Sequence, residues 1–245
     1  MGTSPRKARL WRLNAVVAVL VAVIAVLLVS MLVPRNESSN RPAAQQETTG
    51  SGQAKSEQAG PLESLARREP GDPQALGRVD APVVMVTYED FRCPFCAKYA
   101  RTVAPELKKR YVETGVLRIE WRDFPVFGPQ SMRAAKAGQA AARQGKFWRF
   151  HDVVYSNAPR RSKPDLPVSK LIDYAEQAGI TDIERFESDM ANAAVERAIR
   201  TDSREGNRIG VSATPTFVVN GDPIMGAQPL DAFVSAIETA RKEAR

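Results

Sequence analysis

The 245-residue chain has two cysteines, Cys93 and Cys96, separated only by Pro94 and Phe95. A disulfide between them would close too short a loop to remove much entropy from the unfolded chain, so stapling the fold is not their purpose. Their surroundings are informative. Val83-Val84-Met85-Val86-Thr87-Tyr88 is a short apolar run rich in β-branched residues and reads as a buried parallel strand. After the cysteines a helical pattern runs to about Tyr111, with a bend expected at Pro105 and a stop at Gly115. Any fold for this chain must therefore set the two sulfurs at a corner where a strand turns into a helix.

Beyond that corner, Leu117, Ile119 and Trp121 alternate with Arg118, Glu120 and Arg122, a period of two that predicts a strand with one buried face. Strand, helix and strand make a βαβ unit. Residues 131–206 switch to helical periodicity, in four or five segments punctuated by Gly145, residues 159–167, Gly179 and Asp189. Residues 211–219 return to strand character. Asn220-Gly221 is a strong two-residue hairpin signal, so a short strand at 223–225 should pair back, and residues 230–242 form a closing amphipathic helix. The expected order is α/β: βαβ, a helical block, then ββα.

The nucleophile of disulfide exchange is the thiolate, and a free cysteine with a pKa of ~8.5 is mostly protonated at neutral pH. Cys93 at a helix N-cap faces unpaired backbone N–H groups and the positive end of the macrodipole, both of which favour the anion. Pro94 suits the first helical position, where its missing N–H costs nothing. Cys96 falls one turn deeper. Cys93 is thus expected to be the exposed attacking sulfur and Cys96 the resolving one, with exchange passing through a mixed disulfide. A competing use of C-x-x-C is half a zinc site, but this needs about four ligands and the chain adds only His151. Haem attachment needs His after the second cysteine, where Ala97 stands. No cofactor or metal is expected.

The formal charge of +7 suggests nucleic acid only until its distribution is read. Residues 1–12 carry +4, residues 13–72 carry −1, and the remaining 173 residues carry +4, so the part expected to fold is mildly basic and nucleic acid is not an expected partner. Residues 15–33 are free of charge, and as a helix they measure ~28 Å, close to the ~30 Å hydrocarbon core of a bilayer. The competing reading is a cleavable signal peptide, which has a shorter apolar region and an A-x-A site that Ser30-Met31-Leu32-Val33-Pro34 lacks. The expected layout is a cytoplasmic basic tip at 1–14, a transmembrane helix at 15–33 with the C-terminal part outside the cytoplasm, a flexible linker at 34–72 and a folded domain at 73–245. The linker, as a random coil, has a root-mean-square reach of ~35 Å.

Three blocks carry a family resemblance: Thr87-Tyr88-Glu89-Asp90-Phe91-Arg92-Cys93-Pro94-Phe95-Cys96, then Gln144-Gly145-Lys146-Phe147-Trp148-Arg149-Phe150-His151-Asp152, then Gly210-Val211-Ser212-Ala213-Thr214-Pro215-Thr216-Phe217-Val218-Val219-Asn220-Gly221. In this order they resemble the bacterial DsbA-like thioredoxin family over roughly residues 73–245. The resemblance implies a thioredoxin fold with a helical domain, about 131–206, inserted between its halves. It also implies a cis Thr214–Pro215 bond facing the cysteines, with the Thr214 backbone placed to take an extended substrate by strand addition. Without it, a trans bond would be the expectation, since only ~5–6% of X-Pro bonds in folded proteins are cis.

The function so implied is an extracytoplasmic thiol-disulfide oxidoreductase that forms disulfides in exported cysteine-containing proteins and is reoxidised by a membrane redox partner. The alternatives are a reductase or isomerase of the same fold, or a non-catalytic binding module. Two departures from the family pattern matter. Thr87 stands six residues before Cys93, where many relatives keep a buried acid, a role that Glu89 or water could take. Phe95 replaces the histidine of the strongly oxidising members, which implies a milder oxidant. His151, on a helix with Phe147, Trp148 and Phe150, reads as a packing residue with nothing to bring it to Cys93. Arg160-Arg161-Ser162-Lys163 reads as a solvated basic loop, with an anionic lipid or an acidic partner as the functional alternative.

Overall fold

The computed structural model describes residues 62–244; the basic tip, the apolar run at 15–33 and most of the expected linker lie outside them. Among the described residues no helix is long and apolar enough to cross a membrane. Five strands, β1 (Ala75–Leu76), β2 (Val83–Glu89), β3 (Leu117–Asp123), β4 (Thr216–Val219) and β5 (Asp222–Met225), form one sheet in the order β1-β3-β2-β4-β5. Strands β2 and β3 are parallel, from Val83 opposite Leu117 to Glu89 opposite Asp123, and the other pairings are antiparallel. Asn220 and Gly221 turn the β4–β5 hairpin with φ of 44° and 106°, the positive values that a two-residue turn of this hand requires.

Between the parallel strands lie α1 (Pro94–Thr102), α2 (Ala104–Leu107) and a π-helical turn, Lys108–Val112. Pro105 has no N–H for the carbonyl of Arg101, so α1 stops and the chain bends at Val103. The helical block contains α3 (Pro129–Arg143), α4 (Phe147–Ser156), α5 (Val168–Gln177), α6 (Ile183–Ala191) and α7 (Ala193–Arg208), and α8 (Leu230–Glu243) closes the chain. A methyl group on Gly138 of α3 would meet the ring of Phe91 at 2.8 Å, so glycine lets this helix press on the segment leading to the cysteines.

Both faces of the sheet are covered, and this corrects one expectation. Met85, Leu117, Ile119 and Phe217 pack against Tyr99, Leu107, Phe233 and Ile237 on the face toward α1 and α8. Val84, Val86, Tyr88 and Val218 pack with Leu65 and Phe124 on the other. Every residue of β3 is buried, including Arg118, Glu120 and Arg122, which were expected to face solvent. Burial is tolerated because each is paired. Glu120 takes Arg118 Nε at 2.8 Å and Arg122 Nη2 at 3.1 Å, and Arg122 Nε reaches Glu205 Oε1 at 2.9 Å.

The cover on that face starts upstream of the domain boundary expected at residue 73. The backbone N–H groups of Arg67 and Arg68 donate to the two oxygens of Glu120, each at 2.9 Å, and Leu65 is buried. Arg67 Nη2 reaches Asp202 Oδ1 at 2.7 Å. Residues 62–72 therefore strap across the sheet, where a polar composition had suggested only linker.

Candidate active site

Strand β2 ends by aiming Thr87 and Glu89 at the same face as Met85, because alternate strand residues share a face. The chain then turns through Asp90, whose side chain fixes the corner: Oδ1 accepts from Arg92 N at 2.8 Å, and Oδ2 from Val126 N at 2.8 Å and Phe127 N at 3.3 Å. Cys93 caps α1 with an extended φ and ψ of −79° and 119°, Pro94 occupies the first turn, and Cys93 O receives Ala97 N at 3.1 Å. The Thr214–Pro215 peptide bond is cis and lies over this cap. The thiol of Cys93 donates to the carbonyl of Thr214 at 3.2 Å.

Cys93 is only 1% exposed and Cys96 is fully buried, so the expected openness of Cys93 is corrected: the Thr214 carbonyl closes over its sulfur. Phe95, by contrast, is 63% exposed beside it. Both cysteines are free thiols. Their acidities separate. The hydrogen bond from the Cys96 thiol, opposed by burial and helped by the Thr214 hydroxyl and the N–H groups of Cys96 and Phe95, brings Cys93 down to about 6. Among the described residues that hydroxyl has no hydrogen-bond partner while Cys93 is a thiol, so it is available to a thiolate. Cys96 is pushed well up by burial, by its bond to Cys93 and by the neighbouring Glu89 charge.

Glu89 is the group the sequence only hinted at. Buried beside the cysteines, it accepts from Thr87 Oγ1 at 2.6 Å and from Tyr155 Oη at 3.3 Å. Burial pushes its carboxyl up to about 8; the bonds from Thr87, Tyr155 and Cys96 offset this only in part. Thr87 and Glu89 are two residues apart on one strand face, so an acid displaced by two positions still reaches the same cavity. Tyr155, on α4, also donates to Asp90 O at 3.1 Å. No sequence spacing pointed to it. His151 packs among aromatic rings, 4.7 Å from Tyr155 and 5.5 Å from Trp121 by centroids, and pairs with Asp152 at 2.8 Å. Burial lowers its basicity, and no hydrogen bond joins it to either cysteine among the described residues.

A strand-to-helix dithiol facing a cis-proline, on a sheet with a helical block inserted between its βαβ and ββα halves, defines a thioredoxin-type protein. A family model described as thioredoxin matches residues 69–239. The probable disulfide bond formation protein D of Bacillus cereus is 31% identical over 173 residues, which cover 69% of this chain and 79% of that protein. Among solved structures, oxidised BdbD from Bacillus subtilis superposes with a TM-score of 0.65 at 25% identity, over 70% of this chain and 94% of that one. An Na(+)/H(+) antiporter, NhaA 1 of Mycolicibacterium vanbaalenii, is 34% identical over 185 residues, which span 74% of this chain but 28% of the antiporter. The chain belongs to the DsbA-like branch of the thioredoxin family, the thiol-disulfide oxidoreductases.

Proposed function

We propose that this protein forms disulfides in exported proteins through a Cys93–Cys96 dithiol/disulfide couple. The observation that carries the reading is the geometry of the dithiol: Cys93 caps α1 with its sulfur 3.2 Å from the Thr214 carbonyl of the cis-proline turn, Cys96 is buried one turn deeper, and this setting brings Cys93 down to about 6 and pushes Cys96 far up. Such a pair holds one sulfur as a thiolate at neutral pH and keeps its partner protonated until it is needed. In the oxidised protein, a substrate thiolate attacks Cys93 Sγ, the Cys93–Cys96 bond breaks, and Cys96 leaves. Its proton comes from Glu89, whose carboxyl is largely protonated at neutral pH. A second substrate thiolate then attacks the substrate sulfur of the mixed disulfide and expels Cys93 as a stabilised thiolate. Two electrons pass to the protein, and a substrate disulfide is released.

For the first attack, the substrate must run alongside the cis-proline backbone, whose Thr214 carbonyl sits 3.2 Å from Cys93 Sγ in the reduced protein. An extended substrate pairing with the backbone at Thr214 and Pro215 does this while aligning its cysteine. Pro94 starts the helix whose end charges the site, and Phe95 supplies an apolar contact at its rim.

The uncharged run at 15–33 supports a single membrane span, with the basic tip cytoplasmic and the thiols in the periplasm or cell envelope. A membrane redox partner then takes the two electrons and restores the disulfide. Cys96→Ala tests the scheme through its reverse: the lone Cys93 thiolate attacks the disulfide of an oxidised substrate, one substrate sulfur leaves as a thiolate, and no Cys96 thiol is present to displace the other from the mixed disulfide. Exported proteins trapped covalently on this variant in the cell, and released by reductant, are the expected result; an absence of trapped species would defeat the proposal. In the native protein, alkylation of intact cells should find the pair oxidised, and a reduced pair would reverse the direction of transfer.

A further inference from the structure

A groove of about 500 Å³ opens beside Phe95, lined by Pro94, Phe95, Lys98, Arg101, Thr102 and the pair Arg160 and Arg161. One wall is a face of α1, since residues 94, 98 and 101 recur at helical spacing. The other is the loop after α4, and it is held rather than loose. Arg101 Nη1 donates to Tyr155 O at 2.6 Å and to Ala158 O at 3.2 Å, Arg92 Nε donates to Pro164 O at 3.0 Å, and Lys163 lies 4.8 Å over the Phe127 ring. The basic side chains of Arg160 and Arg161 are thus mounted on a fixed backbone opposite the exposed Phe95.

The lining holds four cations and no acid. Among the described residues, no ion pair joins Lys98, Arg160 or Arg161 to a carboxylate, whereas other exposed cations are neutralised by a neighbour one helical turn away, such as Arg110 by Glu106 and Arg200 by Glu196. Unneutralised like charges crowded into one groove are what an anionic ligand would complement. The groove also begins at the residues that adjoin Cys93. From Cys93 to Thr102 the helix rises ~14 Å at ~1.5 Å per residue, which matches about four residues of extended chain at ~3.3 Å each. A polypeptide bonded to Cys93 through its own cysteine has its next residues within reach of these cations.

We infer that this groove binds an acidic segment of the substrate protein adjoining its reacting cysteine, with an apolar side chain resting on Phe95. The inference rests on the disulfide-forming reading above and names the class of substrate it prefers: cysteines followed or preceded within about four residues by Asp or Glu. Because the charges are exposed, the preference acts mainly on encounter and is screened by salt; the Debye length falls from ~8 Å at 0.15 M to ~3 Å at 1 M.

The test uses the oxidised full chain in neutral detergent and three single-cysteine peptides that differ only in flanking Glu, Gln or Lys residues. Two peptide thiols become one peptide disulfide as Cys93–Cys96 is reduced, and alkylation and mass spectrometry follow the rate. At low salt, the Glu peptide should react about tenfold faster than the Gln peptide and faster still than the Lys peptide, with the order collapsing in 1 M salt. Arg160→Glu combined with Arg161→Glu takes the lining from four positive charges to a net charge of zero, so it should abolish the Glu preference while the Gln peptide keeps its rate, an outcome that misfolding cannot mimic. Equal rates for the three peptides, or an order unchanged by the double reversal, would overturn the inference. Oxidation of glutathione by the wild-type chain separates the two readings. If glutathione is oxidised while the peptides react alike, the groove proposal alone fails; if neither glutathione nor peptide is oxidised, both fail. Reconstitution in phosphatidylcholine vesicles with and without phosphatidylglycerol gives the last arm. The Glu preference should survive the anionic lipid, and its loss there would assign the groove to lipid headgroups instead.

Discussion

Two buried glutamates on neighbouring parallel strands are pushed in opposite directions. Glu89 ends β2 on the face toward the cysteines, and Glu120 lies mid-way along β3 on the opposite face. Burial raises the carboxyl of each. At Glu120 this is outweighed by Arg118, by the N–H groups of Arg67 and Arg68 and by Arg122, so its carboxyl sits at about 2. Glu89 has hydroxyl and thiol partners but no cation, and stays at about 8. The same residue type is thus a fixed counter-charge in one setting and, on the proposed mechanism, a proton donor in the other. What separates them is the placement of arginine, since all the basic partners on the sheet were gathered on the face away from the thiols.

The sharpest break of this contrast is on the thiol side. Cys93→Ser removes the nucleophile and should reduce disulfide transfer to the uncatalysed background, while thermal unfolding barely moves. On the other side, Glu120→Ala leaves Arg118 and Arg122 without their shared carboxylate, and orphaning one partner of a buried pair costs ~3–5 kcal/mol. For a domain of this size that lowers Tm by about 10 °C, with the exchange rate of the folded fraction at 25 °C retained. Calorimetry and a glutathione exchange assay on the same two variants check both. A Cys93→Ser variant that loses stability, or a Glu120→Ala variant that loses exchange without losing stability, would erase the division.

A subtler break uses pH. Glu89, raised from 4.5 to about 8 on folding, favours the folded state fully below pH 4.5, and that contribution is lost as pH rises through about 8. Glu120, lowered to about 2, does the opposite: its contribution is present above 4.5 and lost as pH falls through about 2. Glu89→Gln should therefore flatten the fall in stability between pH 4.5 and 8 without altering acid unfolding. It should also slow formation of the mixed disulfide about a hundredfold at neutral pH, because the departing Cys96 loses its proton donor. Denaturant unfolding across pH, paired with stopped-flow exchange, separates these effects. An unchanged slope would mean that Glu89 is not the raised group.

How much of this was legible in the sequence follows from the same physics. The cysteine pair and Pro94 announce themselves through local chemistry, since a helix cap is built from adjacent residues, whereas the cis Thr214–Pro215 bond was implied only by the family resemblance, the residues alone favouring trans. Glu89 was visible only as a possible substitute for the acid missing at Thr87, because sharing a strand face with Thr87 does not by itself reveal burial. Arg118, Glu120 and Arg122 were misread as a solvated face. Alternation reports a change of polarity, not of exposure, and a strand of a parallel βαβ unit has both faces covered. That rule was the available signal for their burial. The strap at Leu65, Arg67 and Arg68, and the hydroxyl of Tyr155, depend on contacts across 50 to 140 positions of chain, where no spacing pattern reaches.

The smallest expected effect concerns Phe95, and it asks whether the thiol side can accept a cation of its own. Cys93 at about 6 lies between the ~3.5 of a strong oxidant and the ~7 of a reductant in C-x-x-C proteins. The N–H of Phe95 already helps Cys93, whereas its side chain, 63% exposed, gives a thiolate neither donor nor charge. Phe95→His adds an imidazole one residue from the sulfur, and when protonated it stabilises the thiolate and hence the reduced protein. The positive end of α1 opposes an imidazolium at that position, which limits the gain. If the net effect is about one unit in the Cys93 pKa, it is worth ~1.4 kcal/mol, and the reduction potential becomes ~30 mV less negative. Equilibration with glutathione buffers measures that shift, and iodoacetamide alkylation against pH measures the pKa. A potential that stays put while the Cys93 pKa falls would mean that Cys96 and Glu89, rather than the exposed rim, set the oxidising power of this pair.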